Sequence, residues 1–461
     1  MSIDDVQLIF AFLFSVTILI VLISRFSLSP FVSLIVATIV LSCSAGLDLG
    51  EAWQHFSGGV GGVLSSTAMV IGLGAMTGIL LQRSGGAEVI ANRMVGLLGV
   101  DRLGWSMLAV GLLVGVGVWF TVGLVLLVPI AISLAKVARV SLLIPAMSML
   151  AGLSAMHGLA PPHPGPLVAI NLLEADTGRT ILWSLLVGSL SAAIAGPLFW
   201  RLFEGKISMP EFSKAPAVPA ENSDATPQSR AEEVPKQVGL GASLLVIALP
   251  ILLMLIGSFV EEPLASSGFG WSRIAMALRA LGTPTIAMLI GLLLAYFQLG
   301  VRSGFSRKAI SQMTEESLFP VANVLLVVGA GAGYSKVLIA CGVGDTLASM
   351  AQQIPVDTMI LGWLIAAAFR VTTGSATTAI TAAGGIVSVM VAGDASINRE
   401  LLVLALGAGS LTLSHVNDGG FWFVKELFAL TVPQTLKTWT VLETVLSLVA
   451  LLIVLLLNYL V

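Results

Sequence analysis

The sequence is poor in charged residues, cysteine and histidine for a chain of 461 residues. Only 10% of its residues are charged and 57% are hydrophobic, with a mean hydropathy of +1.00, which excludes an ordinary soluble globular protein. Two cysteines, Cys43 and Cys341, are too few for a disulfide framework. The four histidines form no H-E-x-x-H motif, and the few basic residues are scattered. Neither a metal site nor a nucleic-acid partner is therefore expected, and no cofactor is predicted.

The N-terminus also lacks the features of a cleaved signal peptide. It carries Asp4 and Asp5 in place of basic residues, and no A-x-A-like site follows. Long apolar runs dominate the chain instead, each long enough to cross a lipid bilayer. We predict an all-α polytopic membrane protein with about 10–12 membrane segments, including Val6–Ser24, Leu28–Leu47, Ile181–Phe199, Leu240–Val260, Ala280–Leu299 and Val441–Leu457.

One polar, proline-rich stretch, residues 204–238, interrupts this pattern near the middle of the chain. Its composition predicts an exposed linker. We therefore expect an N-terminal membrane repeat over residues 1–203 and a C-terminal membrane repeat over residues 239–461, because many secondary transporters are built from two related halves.

A shift of about 257 residues aligns the two halves. It places Gly72–Ala75 on Gly329–Ala332, while a shift of 258 places Leu153–His157 on Leu411–His415. Charge indicates the relative orientation, because short cytoplasmic loops are rich in Lys and Arg. Basic residues at 302–308 fall opposite residues 45–51, which contain none. The sequence thus predicts two repeats of inverted topology.

Glycine, proline and polar residues mark three matched pairs of interruptions, where broken or re-entrant helices are expected. The glycines at 72–78 and 329–333 are better explained by close helix packing. The second pair joins Phe120–Gly123 to the run from Arg370 to Thr378, in which hydroxyls suit an oxygen-rich solute or simply bond helix carbonyls. Arg370 follows an apolar run, so it either faces a cavity or extends from a helix end to the membrane surface.

The third pair joins HGLAPPHPGP, residues 157–166, to SHVNDGGFW, residues 414–422. The prolines at 161, 162, 164 and 166 end the preceding helix. Sequence that can be helical follows each break, over Leu167–Ala175 and Phe421–Leu430. Two helix N-termini facing one another would attract a carboxylate.

These motifs, with GAGAGY (329–334) and TTGSAT (372–377), resemble those of the gluconate permease (gluconate:proton symporter, GntP) family. The resemblance runs from about Arg25 to the C-terminus. It implies a multi-pass carrier of the bacterial inner membrane, surrounded by lipid, that imports gluconate or a related sugar acid, usually with a proton. Inverted repeats, re-entrant hairpins and a homodimer are implied by the wider superfamily.

The candidate substrate-binding residues come from the four interruptions. They are Thr121, Gly123, His157, Pro162, His163, Arg370, Thr372, Thr373, Gly374, Ser375, Ser414, His415, Asn417 and Asp418.

Position 121 departs from the family pattern. Members that resemble this chain carry a glutamate in F-E-V-G, whereas this chain has Phe120-Thr121-Val122-Gly123. An intramembrane carboxylate is a natural proton-coupling group, so proton coupling is open to question here. The titratable alternatives are His157, His163, His415 and Asp418, although a buried histidine is more often only a hydrogen-bonding residue.

These features are compatible with three functions. A sugar-acid symporter with alternating access is favoured. A proton-independent uniporter or exchanger of the same substrates is the alternative raised by Thr121. A membrane-embedded metal enzyme built on the histidines and Asp418 is disfavoured because no ligand cluster has suitable spacing.

Overall fold

The computed structural model describes residues 3–26, 28–99, 102–207, 238–260, 269–343, 346, 356–415 and 418–461. The described residues form helices joined by short turns, with no strand. The helices are α1 (Ile3–Ser24), α2 (Pro30–Ala45), α3 (Leu49–Arg83), α4 (Gly86–Leu98), α5 (Leu103–Gly117), α6 (Phe120–Ala138), α7 (Leu143–Leu159), α8 (Pro164–Leu173), α9 (Thr177–Ala193), α10 (Leu240–Phe259), α11 (Phe269–Gly282), α12 (Pro284–Ala295), α13 (Arg307–Glu316), α14 (Phe319–Ala340), α15 (Thr358–Thr373), α16 (Ala376–Met390), α17 (Arg399–Gly409), α18 (Gly419–Leu427) and α19 (Val441–Leu460).

Eight helical stretches within the described residues are long and apolar enough to span a membrane, or up to nine if the bent helix α3 is counted as one span. Four more apolar helices, α2, α5, α15 and α16, are shorter than the roughly 20 residues that a perpendicular crossing needs. The prediction of an all-α polytopic membrane protein is confirmed. Most of the predicted linker, residues 208–237, lies outside the described residues.

Four helix interruptions lie near the predicted positions. The break between α7 and α8 spans 160–163, because Pro164 begins α8. The break between α15 and α16 is Gly374 and Ser375, and the described residues between α17 and α18, 410–415 and Asp418, are non-helical. The remaining break falls at Val118 and Trp119, before the predicted segment 120–123, so Thr121 and Gly123 belong to the first turn of α6.

Helix boundaries in the two halves correspond under the same shift of 257 residues. It carries α3 (49–83) onto 306–340, which α13 and α14 occupy, and α5 (103–117) onto 360–374, within a few residues of α15. Packing corresponds as well, because α5 contacts α7 as α15 contacts α17, and α8 contacts α16 as α18 contacts α6. These correspondences support the predicted repeat.

Helices α3 and α14 run antiparallel against each other. Gly59 lies against the backbone of Ala332 and Gly333, whereas Gly72, further along α3, lies near Leu318 at the start of α14. Equivalent helices that cross a membrane in opposite directions are related by a two-fold axis in the membrane plane. The inverted orientation of the repeats stays a prediction, and this packing supports it.

The span formed by α7 and α8 occupies the centre of the protein. Of the apolar window within Leu143–Leu173, 89% is buried, against 17% for the window in α1. Small residues permit this central packing: a side chain at Gly152 would meet the backbone of α5 at Gly111 and Leu112. The break at 160–163 is therefore held deep inside the helix bundle.

Candidate functional site

Arg370, near the C-terminal end of α15, is buried inside the bundle. Its Nη2 donates to Asp418 Oδ2 at 2.6 Å and its Nη1 to the Gly374 carbonyl oxygen at 2.6 Å. The side chains of Arg370 and Asp418 are 4% and 11% exposed, so Arg370 does not extend to the membrane surface. The guanidinium Nε has no hydrogen-bond partner. The site therefore holds a cation with one ion-pair partner, Asp418, and one nitrogen, Nε, that has no hydrogen-bond partner.

Asp418 is held by two further groups. Its Oδ1 accepts the Gly420 backbone N–H at 2.8 Å and so caps the N-terminus of α18. Its Oδ2 also accepts a short hydrogen bond from the Ser414 hydroxyl. The Ser414 hydroxyl oxygen accepts in turn from Trp439 Nε1 at 2.7 Å. The predicted N-terminal anion site of α18 is thus occupied by the protein's own carboxylate.

The tip between α15 and α16 is a glycine turn followed by a capped helix. Gly374 has φ +69°, which favours glycine, and its position lets the carbonyl accept from Arg370. Ser375 caps α16 by accepting the Thr378 N–H at 3.2 Å, while Thr373 Oγ1 donates to the Phe369 carbonyl at 2.7 Å. These two hydroxyls bond the local backbone, the alternative that the sequence left open. Thr372 lies in the last turn of α15.

The histidines near the breaks have different environments. His163, 3% exposed, donates from Nε2 to the Gly115 carbonyl at 2.6 Å, and His415 Nε2 donates to the Val371 carbonyl at 3.0 Å. His157 is half-buried, with its ring centroid 5.1 Å from that of His163, and its Nδ1 has no partner. Within the described residues no group of three or more metal-ligating side chains converges.

Three other candidates lie close to these breaks. Thr121 is half-buried in the first turn of α6, where no side chain caps the helix. Gly123 packs against the Leu153 side chain, which gives it a packing role. Pro162 and His163 line a small cavity with Trp119. Asn417 lies outside the described residues.

Aromatic contacts join the breaks of the two halves. The Phe120 ring, at the start of α6, lies 6.1 Å from His157 and 5.3 Å from Trp439 between centroids. Trp439 in turn bonds Ser414 in the break before α18. The structure therefore brings together the interruptions before α6, α8, α16 and α18, which are far apart in sequence.

Sequence reasoning missed Trp439, Glu443 and Lys336. Glu443 on α19 is 1% exposed and hydrogen bonds with Ser154, yet lies outside the motifs that marked the other candidates. An acidic residue inside a long apolar run was the available signal.

Lys336 lines a cavity of about 460 Å³ between α3, α8, α14 and α16. The polar lining of this cavity also includes Asn171, Ser335, Ser388 and Arg399.

Comparison with known proteins identifies relatives over the whole chain. A gluconate permease of Pseudomonas aeruginosa is 40% identical over 98% of this chain and 98% of its own. The Gnt-II system L-idonate transporter of Escherichia coli K12 is 33% identical over 96% of this chain and 97% of its own. The Alcanivorax borkumensis YdaH transporter, whose crystal structure was described as having an unusual topology, aligns with a TM-score of 0.62 at 16% identity, covering 88% and 89% of the two chains.

The YdaH alignment shows a shared fold. The sequence model of the GntP family permeases matches residues 7–460, nearly the full length of the chain. With its membrane-spanning helices, the chain is a multi-pass protein of the bacterial inner membrane and a transport protein rather than an enzyme. The chain belongs to the GntP family of permeases.

Proposed function

We propose that the protein is a secondary transporter that imports gluconate or a related sugar acid by proton symport with alternating access. The observation that carries this proposal is the buried Arg370 at the meeting point of the four breaks, with its Nε unpaired. A guanidinium recognises a carboxylate through paired N–H donors. The names of the Pseudomonas and Escherichia coli relatives support a sugar acid as the substrate.

The substrate carboxylate binds Arg370 in this proposal, using Nε and competing with Asp418 for Nη2. Asp418 keeps its hydrogen bonds to Ser414 and Gly420 when it gives up that donor. The first turn of α6, which no side chain caps, accepts the polyol part, with Thr121 as a hydroxyl partner. His157, whose Nδ1 is unpaired, contacts the Phe120 ring and provides a further polar group.

The cavity beside Lys336 and Arg399 serves as an entry route for an anion. Its charged lining residues are Lys336, Arg399 and Glu174, and because Arg399 pairs with Glu174 at 3.3 Å, Lys336 supplies the net positive charge that attracts a negatively charged solute. Its volume of about 460 Å³ suits a small ligand. Alternating access follows from movement of the two repeats, residues 1–203 and 239–461, about the central breaks. We also propose that the transporter forms a homodimer.

The test is uptake of labelled gluconate and idonate into proteoliposomes. We expect accumulation that an inward proton gradient accelerates and that an ionophore collapsing the gradient abolishes. Failure to transport any sugar acid under any gradient contradicts the proposal. The alternative, a uniporter or exchanger, rests on the absence of a carboxylate at Thr121. It predicts uptake that internal substrate stimulates and that the proton gradient does not change.

A further inference from the structure

The last membrane span contains a buried carboxyl group, that of Glu443, which lies outside the four helix breaks. Glu443 lies in the interior of the span Val432–Leu460 and is 1% exposed. Its Oε1 has no hydrogen-bond partner, and none of the ion pairs among the described residues includes it. Burying a carboxylate ion without a paired cation is costly, so such residues in membrane spans are rare and usually functional.

Glu443 stands within a polar stripe on one face of α19 and the turn before it. Trp439 precedes it by four residues and Ser447 follows by four, which is the spacing of one helix face. Trp439 bonds Ser414, and Ser447 donates to the Ala408 carbonyl at 2.6 Å. The stripe therefore contacts the end of α17 at Ala408 and the break before α18 at Ser414, with Glu443 between these contacts.

The nearest charges belong to the candidate site. The Ser154 hydroxyl on α7 hydrogen bonds with Glu443, and Arg370 and Asp418 are close enough to act on it electrostatically. His157 is on α7, one turn after Ser154. Other titratable side chains on elements packed against α19 are already engaged or exposed. Arg399 pairs with Glu174, Glu400 accepts the Asp176 N–H, and Arg179 and Lys437 are exposed.

We propose that Glu443 is the proton-binding group that couples substrate movement to the proton gradient. The proposal rests on the proposed function above. A sugar acid entering the site adds one negative charge beside Arg370 and Asp418. Uptake of one proton, converting the Glu443 carboxylate to the carboxylic acid, leaves the total charge of the site unchanged. Release of the substrate then favours release of the proton, which reverses the conversion.

The experiment compares Glu443→Gln, Glu443→Asp and wild type in proteoliposomes. Glutamine matches the size of glutamate and can still accept from Ser154, but it cannot bind or release a proton at neutral pH. We expect Glu443→Gln to lose gluconate accumulation driven by a proton gradient while retaining exchange of labelled for unlabelled gluconate at equal pH on both sides. Glu443→Asp should retain driven accumulation with a shifted pH profile. Glu315→Gln, an exposed acidic residue on α13, is the matched control.

Each result has a distinct meaning. Driven accumulation retained by Glu443→Gln overturns the inference, and so does loss of both accumulation and exchange in a variant that elutes as a single folded species. If the wild type exchanges gluconate but does not respond to a proton gradient, the inference is overturned, whereas the assignment as a sugar-acid carrier stands. Absence of any sugar-acid transport by the wild type overturns the proposed function itself.

Discussion

The Arg370 guanidinium and the Asp418 carboxylate form an ion pair at 2.6 Å inside the protein, between residues that are 48 positions apart. Arg370 comes from the end of α15 and Asp418 from the N-cap of α18. The pair thus links the tip between α15 and α16 to the break before α18. A ligand that competes for Arg370 would weaken this link.

Arg370→Lys should impair substrate binding although the charge is retained. An ammonium cannot reproduce the planar set of donors that reaches Gly374, Asp418 and the free Nε position. We expect a rise of about 10- to 100-fold in the KM for gluconate, equivalent to the ~1.5–3 kcal/mol of charge-assisted hydrogen bonds. Uptake kinetics check it, with the exposed Arg307→Lys as control. An unchanged KM would contradict a role for Arg370 in binding.

Asp418→Asn should destabilise the protein because it leaves a buried guanidinium without its counter-charge. Breaking a buried ion pair costs about 3–5 kcal/mol. An added carboxylate ligand then restores the missing charge, so gluconate should raise the Tm of this variant more than that of the wild type. Thermal unfolding with and without gluconate measures both effects. An equal ligand-induced shift in the two proteins would exclude competition between the substrate and Asp418.

Trp439→Phe should lose the hydrogen bond to Ser414 while keeping the ring contact with Phe120. We expect a loss of stability of about 1 kcal/mol and altered transport kinetics, since Ser414 also bonds Asp418. Trp200→Phe is a matched control, because Trp200 is equally buried and its Nε1 has no partner. Thermal unfolding and uptake should separate the two variants. Identical stability and uptake in the two variants would show that the indole N–H of Trp439 contributes to neither.

Gly374→Ala should strain the tip between α15 and α16, since φ of +69° disfavours a side chain. The cost is about 1 kcal/mol, and displacement of the Gly374 carbonyl should also raise the KM through Arg370. Gly304→Ala, at φ +93° with open space around it, carries the same backbone strain away from the site. If the KM rises in both variants, or in neither, the conformation of Gly374 has no specific effect on substrate binding.

Glu51 and Lys308 are equivalent positions under the 257-residue shift, and both are exposed. Inverted repeats place them on opposite sides of the membrane, with the basic Lys308 loop in the cytoplasm. In a chain with Cys43 and Cys341 replaced by serine, Glu51→Cys should react with an impermeant maleimide in spheroplasts. Lys308→Cys should react only after lysis. Labelling of both from one side would refute the inverted orientation.

The sequence by itself determined the membrane class, the approximate bounds of several spans and the approximate position of each break. Hydrophobic length sets the spans, and Pro164 and Gly374 interrupt helices through their own backbone chemistry, which needs no distant partner. The break before α6 lies two residues earlier than the sequence predicts, because Phe120-Thr121-Val122-Gly123 contains no strong helix breaker and the helix begins at Phe120.

Only the tertiary structure decided which of the polar residues work together. Local sequence cannot show that Asp418 caps its own helix while neutralising Arg370, or that Trp439 reaches Ser414. Glu443 is an isolated acidic residue in an apolar run. Its proposed role depends on its neighbours in space, which come from α7, α15 and the break before α18. Electrostatic and hydrogen-bonding partners are set by distance in space, and helix packing brings together residues that are hundreds of positions apart.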